Sequence, residues 1–363
     1  MKWLRKILLF PLLLINVVMA VALIACAYSQ LLPPEHIRLL SLGGLAFPFV
    51  LAANVAFLLV WLVFYPRYML ASLVACLMCI AQIRTFLPVN FSRQEPPEGS
   101  IKVVSYNLLS WTLNIPSPLK ENPTVQYLDS IDADIVCLQE FAFANLKENG
   151  RHSDILAKYP YRSFDLSGSG EWTSRYLGCL SKYPILSVEQ IDLYTTANGC
   201  QKYRILHEED TIVVYNCHLQ SNNLNTEDKS NYEQILSDPK GKLRAQGTWT
   251  ILDKLTDAAV KRAVHARILM DDMEREDAPY VILCGDFNDS PISYTHHLFS
   301  SRLTDAFVAS GNGPGISYNR NKLYYRIDHM MHSPSLDAYA CRVDRTFGRS
   351  DHYPVSCYLK KSK

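Results

Sequence analysis

The 363 residues carry 36 Lys and Arg against 35 Asp and Glu, and 48% are hydrophobic. That length leaves room for a membrane region followed by one large domain. From residue 101 onward there are 29 basic and 32 acidic residues, which lacks the basic footprint of a dedicated nucleic-acid binder.

The apolar residues are concentrated at the start. No charged residue occurs from Ile7 to Tyr28, between Arg38 and Arg67, or from Tyr68 to Ile83. Crossing a bilayer core takes roughly 20 apolar residues at helical rise. The sequence therefore predicts three spans, over about 7–28, 39–64 and 68–87. The third reaches full length only if Arg84 snorkels and Phe86 and Leu87 extend it. Lys2, Arg5 and Lys6 before an apolar run, with Leu23-Ile24-Ala25-Cys26, also resemble a signal peptide with a lipoprotein processing site. Two further spans and an unusually long first run favour an anchor. Lys and Arg cluster at the N-terminal tip, are absent from Tyr28 to Ile37, and return once at Arg67. The positive-inside rule then puts the C-terminal domain on the non-cytoplasmic side. The expectation is an integral protein of a bacterial inner or plasma membrane: residues 1–90 form the membrane region, 91–100 a linker and 101–363 the C-terminal domain.

Beyond the linker, short β-rich runs alternate with polar segments. Strands are predicted at Lys102–Tyr106, Ile135–Leu138, Leu177–Leu180, Ile185–Leu193, Lys202–Leu206, Thr211–Cys217, Tyr280–Cys284, Arg326–Met331 and Val355–Leu359. Helices are predicted at Thr124–Ser130, Asp154–Tyr159, Leu243–Leu255 and Ala258–Glu276, the last with Val260, Val264, Ile268 and Met273 near helical period. Strands outnumber helices and often follow one another, which favours two packed sheets flanked by helices over a pure βαβ alternation. The polar stretch Ser221–Lys242 reads as a solvated loop or as a cap beside His218. No Cys-x-x-Cys pair lies outside the apolar spans, which argues against a zinc ribbon. Cys137 and Cys284 sit in apolar runs and read as small buried hydrophobes. Cys179 and Cys200 are candidates for a bridge in an oxidising compartment.

Polar residues gather where strand-like runs end. Asn107, Glu140, His218, Asp286 with Asn288, and Asp328 each follow or close such a run, and Asp351-His352 precedes another. A lone Asp after a strand is usually a turn or a cap, and a lone His is usually structural. Six such ends in one domain point instead to a shared rim. Hard cations such as Mg²⁺ are held by carboxylates and substrate phosphate, polarise a phosphoryl oxygen and steady the leaving oxygen. Glu140 suits that ligand role. Asp286 suits orienting or deprotonating a water, and His352 suits acid–base work if Asp328 fixes it. The combination reads as phosphate ester cleavage.

These segments, in the order Val-Val-Ser-Tyr-Asn107-Leu, Asp134-Ile-Val-Cys-Leu-Gln-Glu140, Asn216-Cys-His218-Leu, Gly285-Asp286-Phe-Asn288, Arg326-Ile-Asp328-His and Ser350-Asp351-His352, resemble the endonuclease/exonuclease/phosphatase family with the deoxyribonuclease I-like fold. Gly178-Cys-Leu-Ser-Lys-Tyr-Pro-Ile is similar to a further strand and turn of that family. The resemblance implies an α/β fold, a four-layered sandwich of two mixed sheets flanked by helices, with the site between the sheet rims. It implies Glu140 as main metal ligand with Asn107 beside it and Asp351 in the metal shell, and Mg²⁺ as cofactor with Mn²⁺ as a substitute. It implies His218 on the scissile phosphate, Asp286 and Asn288 on the nucleophilic water, and Asp328 orienting His352. Because family does not fix substrate, three readings stand. One is a membrane-anchored phosphoesterase acting on a lipid headgroup or a small phosphorylated metabolite. The second is an extracytoplasmic nuclease on DNA or RNA, which the charge does not favour. The third is a non-catalytic membrane protein that binds a phosphorylated ligand.

Overall fold

The structure, a computed structural model, describes residues 2–91, 95–109, 123–141, 157–164, 177–195, 198–222, 224, 228, 244–320 and 323–362. Most of the stretch Ser221–Lys242, and residues 154–156 and 243 of the predicted helices, lie outside them.

The chain opens with α1 (Lys2–Tyr28), a turn of two short 3₁₀ segments, and α2 (Gly43–Phe64). Two stretches, Leu9–Leu31 and Arg38–Phe64, are long and apolar enough to cross a membrane. Phe10, Val21, Phe49 and Val63 expose their side chains outward, as lipid-facing residues do. The third expected span departs from a straight helix: α3 (Leu70–Met78) and α4 (Ile80–Phe86) meet at Cys79 with a 66° bend. It counts as a span only if the bent pair is taken as one.

Inside this bundle, neutral polar groups join the helices. Trp61 Nε1 donates to Asn16 Oδ1 (2.9 Å), Asn16 donates to Ser72, and Ser72 Oγ donates to Asn54 Oδ1 (3.1 Å). Asn54 Nδ2 donates to the Met19 carbonyl at 2.8 Å. Interhelical hydrogen bonds of this kind hold helices together where apolar side chains have no preference for protein over lipid.

Two six-stranded mixed sheets follow. In chain order the strands are β1 (Ile101–Asn107), β2 (Ile135–Gln139), β3 (Tyr161–Phe164), β4 (Leu177–Ser181), β5 (Ile185–Ile191), β6 (Gly199–His207), β7 (Asp210–His218), β8 (Val281–Asp286), β9 (Thr304–Asp305), β10 (Tyr318–Arg320), β11 (Leu323–Tyr325), β12 (Asp328–His332), β13 (Leu336–Val343) and β14 (Val355–Lys361). The first sheet has the order β13-β14-β1-β2-β4-β3 and the second β5-β6-β7-β8-β12-β9; β10 and β11 form a separate hairpin. Their inner faces meet in one core that includes Val103, Ile135, Cys137, Tyr203, Val214, Ile282 and Met330. Helix α5 (Pro123–Ser130) covers the first sheet through Leu128. A long helix, α6 (Arg244–Glu276), and α7 (Tyr294–Ser300) cover the second through Ala266, Leu269 and Phe299. A last short helix, α8 (Ala306–Ser310), is capped by Asp305.

Each predicted strand has an observed counterpart. The two predicted helices over 243–255 and 258–276 are one continuous helix, α6, because nothing between Leu255 and Ala258 breaks it: Thr256 sends its hydroxyl back to the Asp253 carbonyl at 3.0 Å. Lys158 and Tyr159, expected at a helix end, do not lie in one. Sequence reading missed β13, whose mixed burial hides any alternation. Cys179 and Cys200 lie on different sheets. Every cysteine is a free thiol, and Cys200 faces Cys217 across β6 and β7 with 2.8 Å between their sulfurs.

The chain order matters most at the centre of each sheet. β1 runs parallel to β2, and β7 parallel to β8. Parallel neighbours end at the same edge, so Asn107 and Glu140 emerge together, as do His218 and Asp286. β12 is antiparallel to β8 with Asp328 opposite Asp286. Its first residue therefore arrives where β8 leaves.

The domain rests on the helix bundle. Arg38 pairs with Asp257 (2.7 Å) and Glu35 with Arg267 (2.8 Å), so the turn after α1 meets α6. Asn90 Nδ2 donates to the Gly311 carbonyl at 2.6 Å, and Arg326 donates to the carbonyl of Thr85 in α4. The α1–α2 turn and the end of α4 thus contact the same domain. The side chain of Ile292 is fully buried among the helices with Leu23, Ala27 and Phe47. Burying such a side chain contributes about 1.5–3 kcal/mol.

Candidate active site

Asp286 lies at the centre of the rim. Its Oδ1 accepts the Asn288 amide at 2.8 Å, and its Oδ2 accepts Asn107 Nδ2 at 3.0 Å. The same Oδ2 stands 3.7 Å from His218 Nε2 and 3.6 Å from His352 Nε2. One oxygen therefore faces residues carried by β1, by β7 and by the turn before β14, that is, by both sheets. Glu140 joins through Asn107, which donates to its Oε1 at 3.2 Å, and lies 3.9 Å from His218 Nε2.

Local backbone conformation aims these groups. Glu140 and Asn288 both adopt left-handed conformations, with φ of 50° and 53°. Such backbones cost about 1–3 kcal/mol each in non-glycine residues and cluster at functional sites. Gly285, between Cys284 and Asp286, is required: with φ at 137°, a Cβ there would lie 1.9 Å from the Cys217 carbonyl oxygen.

A neutral network braces the rim from below. Gln139 Nε2 donates to Asn216 Oδ1 (2.6 Å), while Asn216 Nδ2 donates to the carbonyls of Leu138 and Gly178, both at 3.0 Å. These bonds tie β7 of one sheet to β2 and β4 of the other directly beneath Glu140 and His218. Sequence reading passed over Gln139, although its place just before Glu140 in an apolar strand was a signal.

The electrostatics are those of crowded carboxylates. His352 Nδ1 donates to Asp328 Oδ2 at 2.8 Å. Burial would lower the His352 pKa, but Asp328 and Asp286 outweigh it and push the group up to about 10. At neutral pH this ring is an imidazolium with a donor at each nitrogen. Burial, with help from Asp328, raises the Asp286 carboxyl against the opposing pull of His352 and His218. Asp328 Oδ1 and His218 Nδ1 are buried without a hydrogen-bond partner.

The rim fits a divalent cation. Its donors include the hard carboxylate oxygens of Glu140, Asp286, Asp328 and Asp351; Asp286 and Asp328 face His352, and Glu140 faces His218. Glu140, with 22% of its side chain exposed, is the carboxylate most open to the cleft. Asn107 is turned otherwise than its expected ligand role requires. Its Oδ1 accepts the Leu109 amide at 3.0 Å, so it presents its NH₂ group to both carboxylates. Asp351 faces Arg320 across 3.9 Å. Asn288 sends its side-chain amide to the Leu219 carbonyl (3.2 Å) and reaches Asp286 through its backbone. Of the residues named from sequence, the structure thus gathers Asn107, Glu140, His218, Asp286, Asp328 and His352, with Asn288 and Asp351 at the margin.

A family model described as the Endonuclease/Exonuclease/phosphatase family matches residues 111–352, two-thirds of the chain and all of the rim but Asn107. The chain belongs to this family. An endonuclease/exonuclease/phosphatase family protein is a metal-dependent hydrolase of phosphoric ester bonds, and the chain is one. A second model, for a domain of unknown function (DUF8431), matches residues 5–86. No curated protein matches the chain. Among solved structures, the endonuclease/exonuclease/phosphatase from Bacteroides vulgatus is similar with a TM-score of 0.50 and 13% identity, over 73% of this chain and 100% of that one. The catalytic domain of human Nocturnin with bound sulfate anion gives 0.49 and 15%, over 74% and 97%. D. rerio TDP2 complexed with single strand DNA product gives 0.49 and 14%, over 73% and 100%. At these identities the likeness concerns the fold.

A second buried cluster went unnoticed in the sequence. His296 Nε2 lies 2.9 Å from Asp305 Oδ2, and His329 Nε2 donates to the Asp289 carbonyl at 2.9 Å. Burial would raise the Asp305 carboxyl, but His296 and Arg326 hold it below the usual carboxylate range. With a guanidinium 4.0 Å from that carboxylate, the cluster is already neutralised, and it locks β9 and the loop after β8 to β12.

Proposed function

We propose that the protein hydrolyses a phosphodiester or phosphomonoester at a membrane surface, the substrate being a lipid headgroup or a small phosphorylated metabolite. The observation that carries this reading is the convergence of both sheets on Asp286 Oδ2, in a domain packed against an apolar helix bundle. Glu140, with Asp351, would hold Mg²⁺ or Mn²⁺, which when bound would supply charge neutralisation at the phosphoryl oxygens. Asp286 orients the attacking water and takes its proton, a role suited to a carboxyl whose pKa is raised by burial. Asn288 fixes one Asp286 oxygen through its amide, and Asn107 the other. His218 and His352 donate to the non-bridging oxygens, where charge grows as the leaving oxygen departs. Asp328 keeps His352 charged and aimed.

The domain limits in this reading are residues 1–90 for the membrane region, 91–100 for the linker and 101–363 for the catalytic domain. The bent pair α3 and α4 serves as the third crossing, because the chain touches the domain at Gly44, in the first turn of α2, and touches it again at Thr85, near the end of α4. With the basic N-terminal tip inside, the catalytic domain is non-cytoplasmic.

The test uses the full chain in lipid nanodiscs. Phospholipid vesicles, bis(p-nitrophenyl) phosphate, p-nitrophenyl phosphate and plasmid DNA are assayed with Mg²⁺, with Mn²⁺ and with chelator. The expected result is metal-dependent release that Asp286→Ala lacks, with lipid or small phosphoesters preferred. Plasmid cleavage with those ignored would replace this reading with a nuclease, and ligand binding without turnover would replace it with a binding protein.

A further inference from the structure

The loop that follows Asp286 ends inside the helix bundle. Four residues beyond Asn288, the Ile292 side chain is fully buried in the cluster containing Leu23, Ala27, Phe47, Ala75 and Cys79. Gly44, in the first turn of α2, lies directly against this loop. A Cβ at Gly44 would stand 2.1 Å from the Ile292 carbonyl oxygen and 2.3 Å from Ser290 Oγ. Side-chain rotation cannot relieve contact with a backbone carbonyl, so any larger residue at position 44 displaces the loop.

Little slack separates that contact from Asp286. Ser290 Oγ accepts the Ile292 amide at 3.2 Å, and Asp289 Oδ1 accepts the Ser290 amide at 3.1 Å. Arg262 of α6 donates to Asp289 Oδ2 at 3.0 Å, and His329 of β12 donates to the Asp289 carbonyl. Just before the neighbouring strand β12, Arg326 lies two residues ahead of Asp328 and donates to the Thr85 carbonyl of α4. A tether needs only a linker. Here both catalytic strands reach the bundle within a few residues of their carboxylates, through buried contacts.

We infer that the helix bundle is part of the catalytic scaffold, and that Gly44 and Ile292 are positioning residues that hold Asp286 and Asn288 in register with the rest of the rim. This inference rests on the roles proposed above for Asp286 and Asn288. Displacement of a reacting group by 1 Å can slow turnover about 10²-fold.

Gly44→Leu, Ile292→Ala and Ile292→Val are compared with the unaltered protein, as full chains in nanodiscs, on bis(p-nitrophenyl) phosphate with Mg²⁺. Arg38→Ala, at an exposed contact away from the loop, is the control. Hydrogen exchange is followed in parallel. Gly44→Leu and Ile292→Ala are expected to lower kcat about 10²-fold with KM little changed. Exchange should quicken at Phe287–Ile292 and stay unchanged in β1 and β2. Ile292→Val should restore turnover, and Arg38→Ala should not alter it. Folded variants with unaltered kcat, or a loss of rate that only tracks uniformly faster exchange, would overturn the inference. If Gly44→Leu does not fold, Ile292→Ala decides, since it removes atoms without a clash. If Asp286→Ala itself remains active, the proposed chemistry fails; if Asp286→Ala is inactive while loop variants are normal, only the scaffold inference fails.

Discussion

The helix bundle and the sheet rim both bury polar groups, and they treat them in opposite ways. In the bundle four neutral groups are bonded in a chain: Trp61 to Asn16, Asn16 to Ser72, Ser72 to Asn54. At the rim they are titratable and crowded, two backbone positions are left-handed, and Asp328 Oδ1 and His218 Nδ1 have no partner. A satisfied neutral network gives cohesion. An unsatisfied charged one lowers stability and leaves atoms that a phosphate, a water or a cation can engage. The difference separates scaffold from chemistry within one chain.

The sharpest way to break this comparison is to remove the central carboxylate. Asp286→Ala should slow hydrolysis of bis(p-nitrophenyl) phosphate by about 10³-fold or more, while thermal unfolding moves little or upward, because a buried carboxyl is lost. A large drop in melting temperature would mean that Asp286 is structural. Asp328→Asn comes next. It keeps the shape and removes the charge that holds His352, and turnover should fall about 10²-fold with the protein still folded by circular dichroism.

Acidification should act on the sandwich and leave the bundle network, which has no titrating group, unaffected. Burial, reinforced by His296, lowers His329 to about 3. An unfolded histidine takes up its proton near pH 6.5, so the folded state is fully favoured above that pH and loses stability as pH falls toward 3. Melting temperature measured between pH 7 and pH 4 should fall, and His329→Phe should flatten the slope. A smaller effect is expected in the bundle. Asn54→Leu leaves Ser72 without its acceptor and should cost about 1–2 kcal/mol, read by unfolding in detergent, with activity per folded molecule unchanged. The smallest effect belongs to Arg38→Ala: both partners of that ion pair are more than half exposed, and such pairs contribute about 0–1 kcal/mol.

Much of this was legible in the residues. The charge-free runs marked α1 and α2, which are long and apolar enough to cross a membrane. Strands such as β1, β2 and β8 were readable because both faces are buried and the apolar run is unbroken. The polar residue ending each run stood out against that background. Strand β13, with its mixed burial, and the short β9 gave no such contrast. The bend at Cys79 carries neither Pro nor Gly, so no local signal marked it.

The sequence by itself determined which polar and titratable groups stand at strand ends, since that depends on neighbours along the chain. Only the tertiary structure decided that Asn107 turns its amide nitrogen toward Glu140 and Asp286, that Gln139 and Asn216 brace the two sheets, and that Ile292 enters the helix bundle against Gly44. Each of those depends on contacts between residues far apart in sequence, where side-chain direction is set by strand register and by packing between layers. No local pattern encodes such contacts, because the partner is specified only once both sheets and the bundle have come together.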